Sequence, residues 1–319
     1  MLLAIVLSLS GVRMQIPGAL NKTFKSVVGV MLGTAMTPQT LDRVFEWPIS
    51  IAMVVVGILS VAALVSLYYQ RIGRFDPLTA AAASLPGAIS SIPSIAIGMG
   101  ADAQRVTIPQ LLRVALVVLC VPPLYLAWQG APAGVGASIG GMAWYTRDFW
   151  LGEGLWIMAL VPAGWYLGKL IKLPVPQLLG PMIVSASFTL AGFSIALPAW
   201  LYAMTFLIIG TSIGTRFYQM PLRTLFGTGR HAVAGTLLTF AGISSVGVII
   251  HLTTGVSLPV ALLAVTPGGI AEMALLATAL GIDPVFVTFH QVVRAVLLNF
   301  IAPFIFAWVK RRLDAASSD

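Results

Sequence analysis

Two copies of one motif hold the residues in this sequence that could do chemistry. One copy runs Leu85-Pro86-Gly87-Ala88-Ile89-Ser90-Ser91, then Asp102, then Thr107, Gln110 and Arg113. The other runs Thr266-Pro267-Gly268-Gly269, then Glu272, Asp283, Thr288, Gln291 and Arg294. Thr, Gln and Arg recur at intervals of three residues, a spacing that drifts slowly around a helix and can set all three on one polar stripe. The Pro-Gly pairs break apolar runs. A helix that resumes after such a break presents unpaired N–H groups and the positive end of its dipole, which suits an anion. Thr266 is expected to cap that helix and Pro267 to sit in its first turn. The glycines let a ligand approach the backbone; the alternative is that they serve only close helix crossing.

Arg113 and Arg294 lie about ten residues into an apolar helix, or ~15 Å deep. An arginine there costs from about 2.5 to more than ~10 kcal/mol and needs a partner or a polar cavity. Two roles are open: the polar stripe binds a solute, or each arginine bonds carbonyls bared at the broken helix. Glu272, which stands where the first copy has Ser91, is read as the one intramembrane acid, Glu153 being counted with the charges of the linker. It pairs with Arg294 or exchanges a proton. Asp102 and Asp283 precede the arginine helices and are expected to cap them. His290, four residues before Arg294, has packing and proton transfer open to it.

These residues sit in a chain of 319 residues that is 58% hydrophobic and 9% charged. Soluble domains carry about 25% charged residues. With a mean hydropathy of +0.97 and repeated apolar runs, the chain reads as a polytopic helical membrane protein. Its 31 glycines and 20 prolines fit that class. The net charge of +8 is assigned to cytoplasmic loops obeying the positive-inside rule; no soluble stretch is long enough for a nucleic-acid-binding domain. Cys120 is the sole cysteine and His231, His251 and His290 are scattered, so neither a disulfide framework nor a metal-ligand motif is expected, and no cofactor. The start, MLLAIVLSLSGVR, has Arg13 after its apolar run rather than before it and is read as part of a membrane helix, not a signal peptide.

The two motif copies are 181 residues apart (267 − 86 = 181), and the offset holds without a gap from Pro86 to Pro122. Upstream it pairs Pro17 with Pro198, Gly29 with Gly210 and Gly33-Thr34 with Gly214-Thr215. The second half has apolar segments at 151–170, 177–197, 199–214, 231–250, 256–280 and 284–309. The first has 1–17, 24–37, 48–70, 78–100 and 104–128, with no counterpart of 151–170. Met1 aligns with Met182, so the first repeat is expected to lack its first helix. In the second half the basic loops are those with Lys169 and Lys172, with Arg216, Arg223 and Arg230, and the tail Lys310-Arg311-Arg312. Both ends of 256–280 are then outside, so that segment enters, turns at Thr266–Gly269 and leaves on one face. The first half has the reverse pattern, with Arg13, Lys22 and Lys25, Arg71 and Arg74, and Arg105 on the basic side. The expected fold is an all-α polytopic integral membrane protein of two inverted structural repeats. Each has about five transmembrane helices and one broken re-entrant segment, whose tips meet near the midplane. The alternative is six full crossings per half and parallel repeats. The expected organisation is an incomplete first membrane repeat at 1–128, a periplasmic linker at 129–149, a second repeat at 150–313 and a cytoplasmic tail at 314–319.

The pattern PGG-I-x-E-M followed by G-I-D-P-x-x-V-T-x-x-Q-x-x-R resembles the AbrB family of bacterial inner-membrane proteins, over nearly the whole chain. The first copy departs from it with LPGAISS in place of a Pro-Gly-Gly tip with an acid. The resemblance implies a multi-pass protein of the bacterial inner membrane; the charge pattern puts its C-terminus in the cytoplasm. Family members have been labelled transcriptional regulators and ammonia monooxygenases. Two arginines against one acid favour an anionic solute, so a secondary transporter, not an enzyme, is the expected function, with H+ or Na+ as candidate coupling ions. The alternatives are a membrane component influencing gene expression and, behind it, an ammonia-oxidising enzyme, for which no metal-ligand set is visible. The expected partners are the lipid bilayer and a small-molecule solute, with no nucleic acid; a homo-oligomer is open.

Overall fold

In hydrocarbon a backbone must satisfy its own polar groups, and a chain this apolar does so with helices. The computed structural model describes the chain except residues 1–3, 5, 6, 9, 13, 45, 87–90, 129–150, 194–196, 216, 217, 219–228 and 317–319. The linker expected at 129–149 and part of the segment 1–17 lie outside the described residues. Among the described residues all regular structure is helical: α1 (Gly18–Thr34), α2 (Pro38–Val44), α3 (Trp47–Arg71), α4 (Pro77–Ser84), α5 (Ser91–Gly98), α6 (Ala103–Trp128), α7 (Leu151–Leu170), α8 (Pro176–Leu190), α9 (Ala199–Gly214), α10 (Gly229–Thr254), α11 (Leu258–Val265), α12 (Ile270–Ala279) and α13 (Pro284–Ala316). Helices α3, α10 and α13 are long and apolar enough to cross a bilayer. Val296, Phe300, Phe304 and Trp308, four residues apart on α13, are exposed, as a face turned to lipid requires. Arg312 lies over Trp308 at 4.3 Å, the pairing of basic and aromatic residues found at a bilayer surface.

Two segment boundaries differ from the hydropathy reading. Helix α1 starts at Gly18 rather than near residue 24, because Pro17 leads into it and the polar Asn21, Lys22 and Lys25 occupy its first turns. Helix α8 stops at Leu190 rather than near 197, where Gly192 adopts φ +94°, a left-handed conformation that ends helices.

The two broken segments follow from proline sterics. The residue before a proline is kept out of the helical region. Leu85 (φ −67°, ψ 121°) and Thr266 (φ −59°, ψ 130°) are both extended, so α4 and α11 end there. Each has eight residues, ~12 Å of helix against a hydrocarbon core of ~30 Å. Asp76 caps α4 by accepting from the Thr79 amide at 2.9 Å. After α5 the chain comes back to this entry point. The Asp102 amide donates to Thr79 Oγ1 at 2.9 Å, and Arg105 donates to the Arg74 carbonyl at 3.3 Å.

The helices sort into two compact units, and neither is a sequence half. One comprises Met1–Trp47, Pro122–Gln219 and Ile270–Thr288; the other comprises Pro48–Val121, Met220–Gly269 and Phe289–Asp319. In the first unit α1, α7 and α8 pack through small residues, and α9 packs against α1. Gly29 and Gly33, spaced G-x-x-x-G, lie against the α8 backbone at Leu178 and Met182. Gly164 and Gly168, at the same spacing, lie against Pro181 and Pro176. This is the close approach that membrane helices use where lipid leaves no hydrophobic drive between them. Ser26 Oγ donates to the Gln177 carbonyl at 2.7 Å and Ser185 Oγ to the Val30 carbonyl at 3.2 Å. A side chain at Gly180 would overlap the Gly164 carbonyl oxygen. Gly180→Val is therefore expected to cost at least the ~1–3 kcal/mol of core overpacking and to lower Tm in detergent by about 5 °C or more. A Tm unchanged from wild type would show that α7 and α8 do not cross there.

In the second unit α3 and α10 run antiparallel. Tyr68 meets His231 at one end (3.4 Å) and Thr253 meets Met53 Sδ at the other (3.3 Å). Between them Gly57 faces Val246, Gly242 faces Val61 and Gly235 faces Tyr69. The two helices occupy equivalent places in the motif offset, since 48 + 181 = 229. In the same unit Lys310 Nζ, near the end of α13, donates to the Met99 carbonyl at 3.4 Å.

Candidate functional site

Arg113 lies ten residues into α6 and Arg294 ten residues into α13, and both are buried. Their partners come from the broken segments. The last carbonyls of a helix have no partner within it, and both arginines reach those of the short helices. Arg113 donates to the carbonyls of Ser84 (3.2 Å) and Leu85 (3.4 Å), and Gln110 Nε2 to that of Ala82 (3.1 Å). In the second copy Arg294 donates to Val265 (3.3 Å), Thr266 (3.0 Å) and Gly268 (3.2 Å). Gln291 Nε2 donates to Leu263 (3.1 Å), Ala264 (3.3 Å) and Thr266 (2.8 Å). Ala82, Ser84 and Leu85 shifted by 181 are Leu263, Val265 and Thr266, so the bonding recurs at the motif offset. A guanidinium at a helix C-terminus also meets the negative end of the dipole. Of the two roles open to the arginines, carbonyl bonding is the one the geometry displays.

The two clamps meet. Pro86 on one side and Pro267 and Gly268 on the other enclose a cavity of about 10 Å³ with Gln110, Arg113, Val114 and Arg294. Among the described residues two guanidinium groups and no carboxylate line it. Three buried polar atoms of the clamps, Gln110 Oε1, Gln291 Oε1 and Arg294 Nε, have no hydrogen-bond partner among the described residues.

Thr266 and Pro267 correct one expectation. Thr266 is not the cap of the following helix: its hydroxyl donates back to the Leu262 carbonyl at 2.6 Å, and α12 starts only at Ile270. Pro267 holds Thr266 extended, so the hydroxyl closes the last turn of α11, and Pro267, Gly268 and Gly269 intervene before the next helix. The arginines face the carbonyl ends of the half-helices, the second of the two roles the motif left open.

The remaining residues divide. Asp102 and Asp283 are caps: Asp102 Oδ1 accepts from Gln104 (2.9 Å) and Arg105 (3.1 Å), Asp283 Oδ1 from Val285 (3.0 Å) and Phe286 (3.1 Å). His290 Nε2 pairs with Ser50 Oγ at 2.8 Å, both buried; Ser50 carried no motif signal. Thr107 is half-buried, and Thr288 is buried with its hydroxyl unpaired among the described residues. Glu272 is buried in the first turn of α12, where a carboxylate suits the helix dipole; it belongs to the first compact unit. Ser91 begins α5. Gly87 and Ser90 lie outside the described residues. Among the described residues no three His, Cys, Asp or Glu side chains cluster, so the site is one of guanidinium, amide and backbone groups.

Comparison with known proteins adds the family. The chain is 30% identical to YhjN of Bacillus subtilis (strain 168) over 291 residues, covering 87% of this chain and 75% of YhjN. It is 28% identical over 324 residues to an Escherichia coli (strain K12) protein named as a candidate regulator, AbrB, covering 98% of this chain and 90% of that one. No solved structure matches. The family model described as "Transition state regulatory protein AbrB" matches residues 1–310. With that match across nearly all of its length, and with helices built to face lipid, the chain belongs to the AbrB family as a multi-pass membrane protein.

Proposed function

We propose that this protein is a secondary transporter that moves a small anionic solute by alternating access. The observation that carries it is the cavity where both Pro tips and both buried arginines converge with no acid among the described lining residues. Broken helices whose tips meet around a charged centre are the architecture of such transporters. The antiparallel course of α3 and α10, equivalent at the 181 offset, supports inverted repeats. The return of the chain from α4 to Thr79 after α5 supports a re-entrant hairpin. At about 10 Å³ the cavity has room for a water at most, so on this proposal solute enters only when the tips part. The proposed setting is the bacterial inner membrane with the C-terminus cytoplasmic, and H+ or Na+ as the coupling ion. The regulatory names of the family model and of the Escherichia coli relative fit a carrier that acts on gene expression through the solute it moves.

Purified protein in liposomes, offered labelled mono- and dicarboxylates, amino acids and inorganic anions, tests the proposal. Saturable uptake of at least one anion, competed by its analogues, is expected. Uptake indistinguishable from empty liposomes across the panel, under both proton and sodium gradients, would refute it.

A further inference from the structure

We infer that the solute carries a hydrogen-bond donor next to its carboxylate, as an α-hydroxy or α-amino acid does; this rests on the transporter proposal and narrows it. Arg294 and Gln110 line the same cavity, and they are 4% and 1% exposed. Arg294 Nε–H is a donor without a partner among the described residues, and Gln110 Oε1 is an acceptor without one. A simple carboxylate offers only acceptors. It answers the arginine and sets its oxygens against the lone pairs of the amide. The amide does not turn over to suit it, because Gln110 Nε2 holds the Ala82 carbonyl and a turn would orphan both groups. In the second copy Gln291 Nε2 holds three carbonyls, which locks its unpaired Oε1 the same way. A hydroxyl or ammonium one carbon from the carboxylate supplies the missing donor. Sites that pair buried polar groups with a substrate hydroxyl or amine reject the analogue lacking it, by up to ~10⁴–10⁵-fold in the strongest cases.

Two matched sets of probes test this in liposomes: propionate, lactate and alanine, and succinate, malate and aspartate. Within each set size is held nearly constant while the α-group changes from hydrogen to hydroxyl to ammonium. At least one donor-bearing member should exceed its parent acid in uptake or competition by about 10-fold or more. In Gln110→Leu that ratio should fall toward one. The wild-type comparison stands by itself where the variant does not fold. Parent acids carried as well as their α-substituted forms, or a carried set composed only of acids without an α-donor, would overturn the inference and leave the transporter proposal intact. No anion carried at all would instead strike the proposal beneath it.

Discussion

Arg294→Gln is expected to lower solute uptake by about 30- to 5000-fold, the equivalent of ~2–5 kcal/mol for truncating one partner of a buried, hydrogen-bonded charge. Arg294 does two things at once. It donates to three carbonyls, those of Val265, Thr266 and Gly268, and so ties the end of α11 to α13. It also lines the cavity with a positively charged group whose Nε–H has no partner among the described residues. Glutamine retains an amide that can reach a carbonyl, but it has neither the charge nor the fork. Arg294→Lys separates the two contributions. A lysine keeps the charge, yet a single ammonium does not span three carbonyls and still serve a solute. Uptake by Arg294→Lys should fall between wild type and Arg294→Gln, and both variants should reach the membrane and run as single species in gel filtration. Arg113→Gln, which breaks two bonds of 3.2 and 3.4 Å, should act in the same direction. Wild-type uptake by Arg294→Gln would remove Arg294 from the site.

The second large effect is all-or-none. Single cysteines introduced as Ala103→Cys and Pro284→Cys, in a Cys120→Ala background, should be labelled by an impermeant maleimide from opposite faces of the membrane. The first should react from the cytoplasm and the second from the periplasm. Both positions begin an arginine helix, so parallel repeats would put them on one face. The expectation rests on the reversed charge pattern and on the length of α13. Lys310 on that helix bonds the Met99 carbonyl, four residues before Ala103. Pro284 is 26 residues earlier on the same helix (310 − 284 = 26), which at ~1.5 Å per residue is ~39 Å away, more than the ~30 Å core. Reaction of both cysteines from the same side would end the inverted arrangement, and with it the alternating-access proposal in its present form.

Much of the local structure was legible in residue types. Composition and apolar runs determined a helical membrane protein, since an unpaired backbone in lipid has no cheaper solution. Pro86 and Pro267 determined where two helices break, because proline sterics act on the neighbouring residue alone. Asp102 and Asp283 were identifiable as caps from their place before a helix, a contact that reaches only two or three residues along the chain. The 181 offset followed from Thr, Gln and Arg recurring together, and the helical period put them on a shared stripe.

What that stripe faces was decided by tertiary structure. The partners of Arg113 and Arg294 are backbone carbonyls 26 to 29 residues away, and a carbonyl carries no mark of residue type. Thr266 looked like a cap for the helix that follows. Only the backbone geometry at Pro267, which starts α12 three residues later at Ile270, turned its hydroxyl to the helix before. The packing of α3 on α10, Gly57 against Val246 and Gly242 against Val61, and the sorting of helices into units that mix both halves join segments far apart in sequence. A helical period specifies a face; it takes the packed neighbour to specify what that face holds, and here the neighbours are the carbonyl ends of two broken helices.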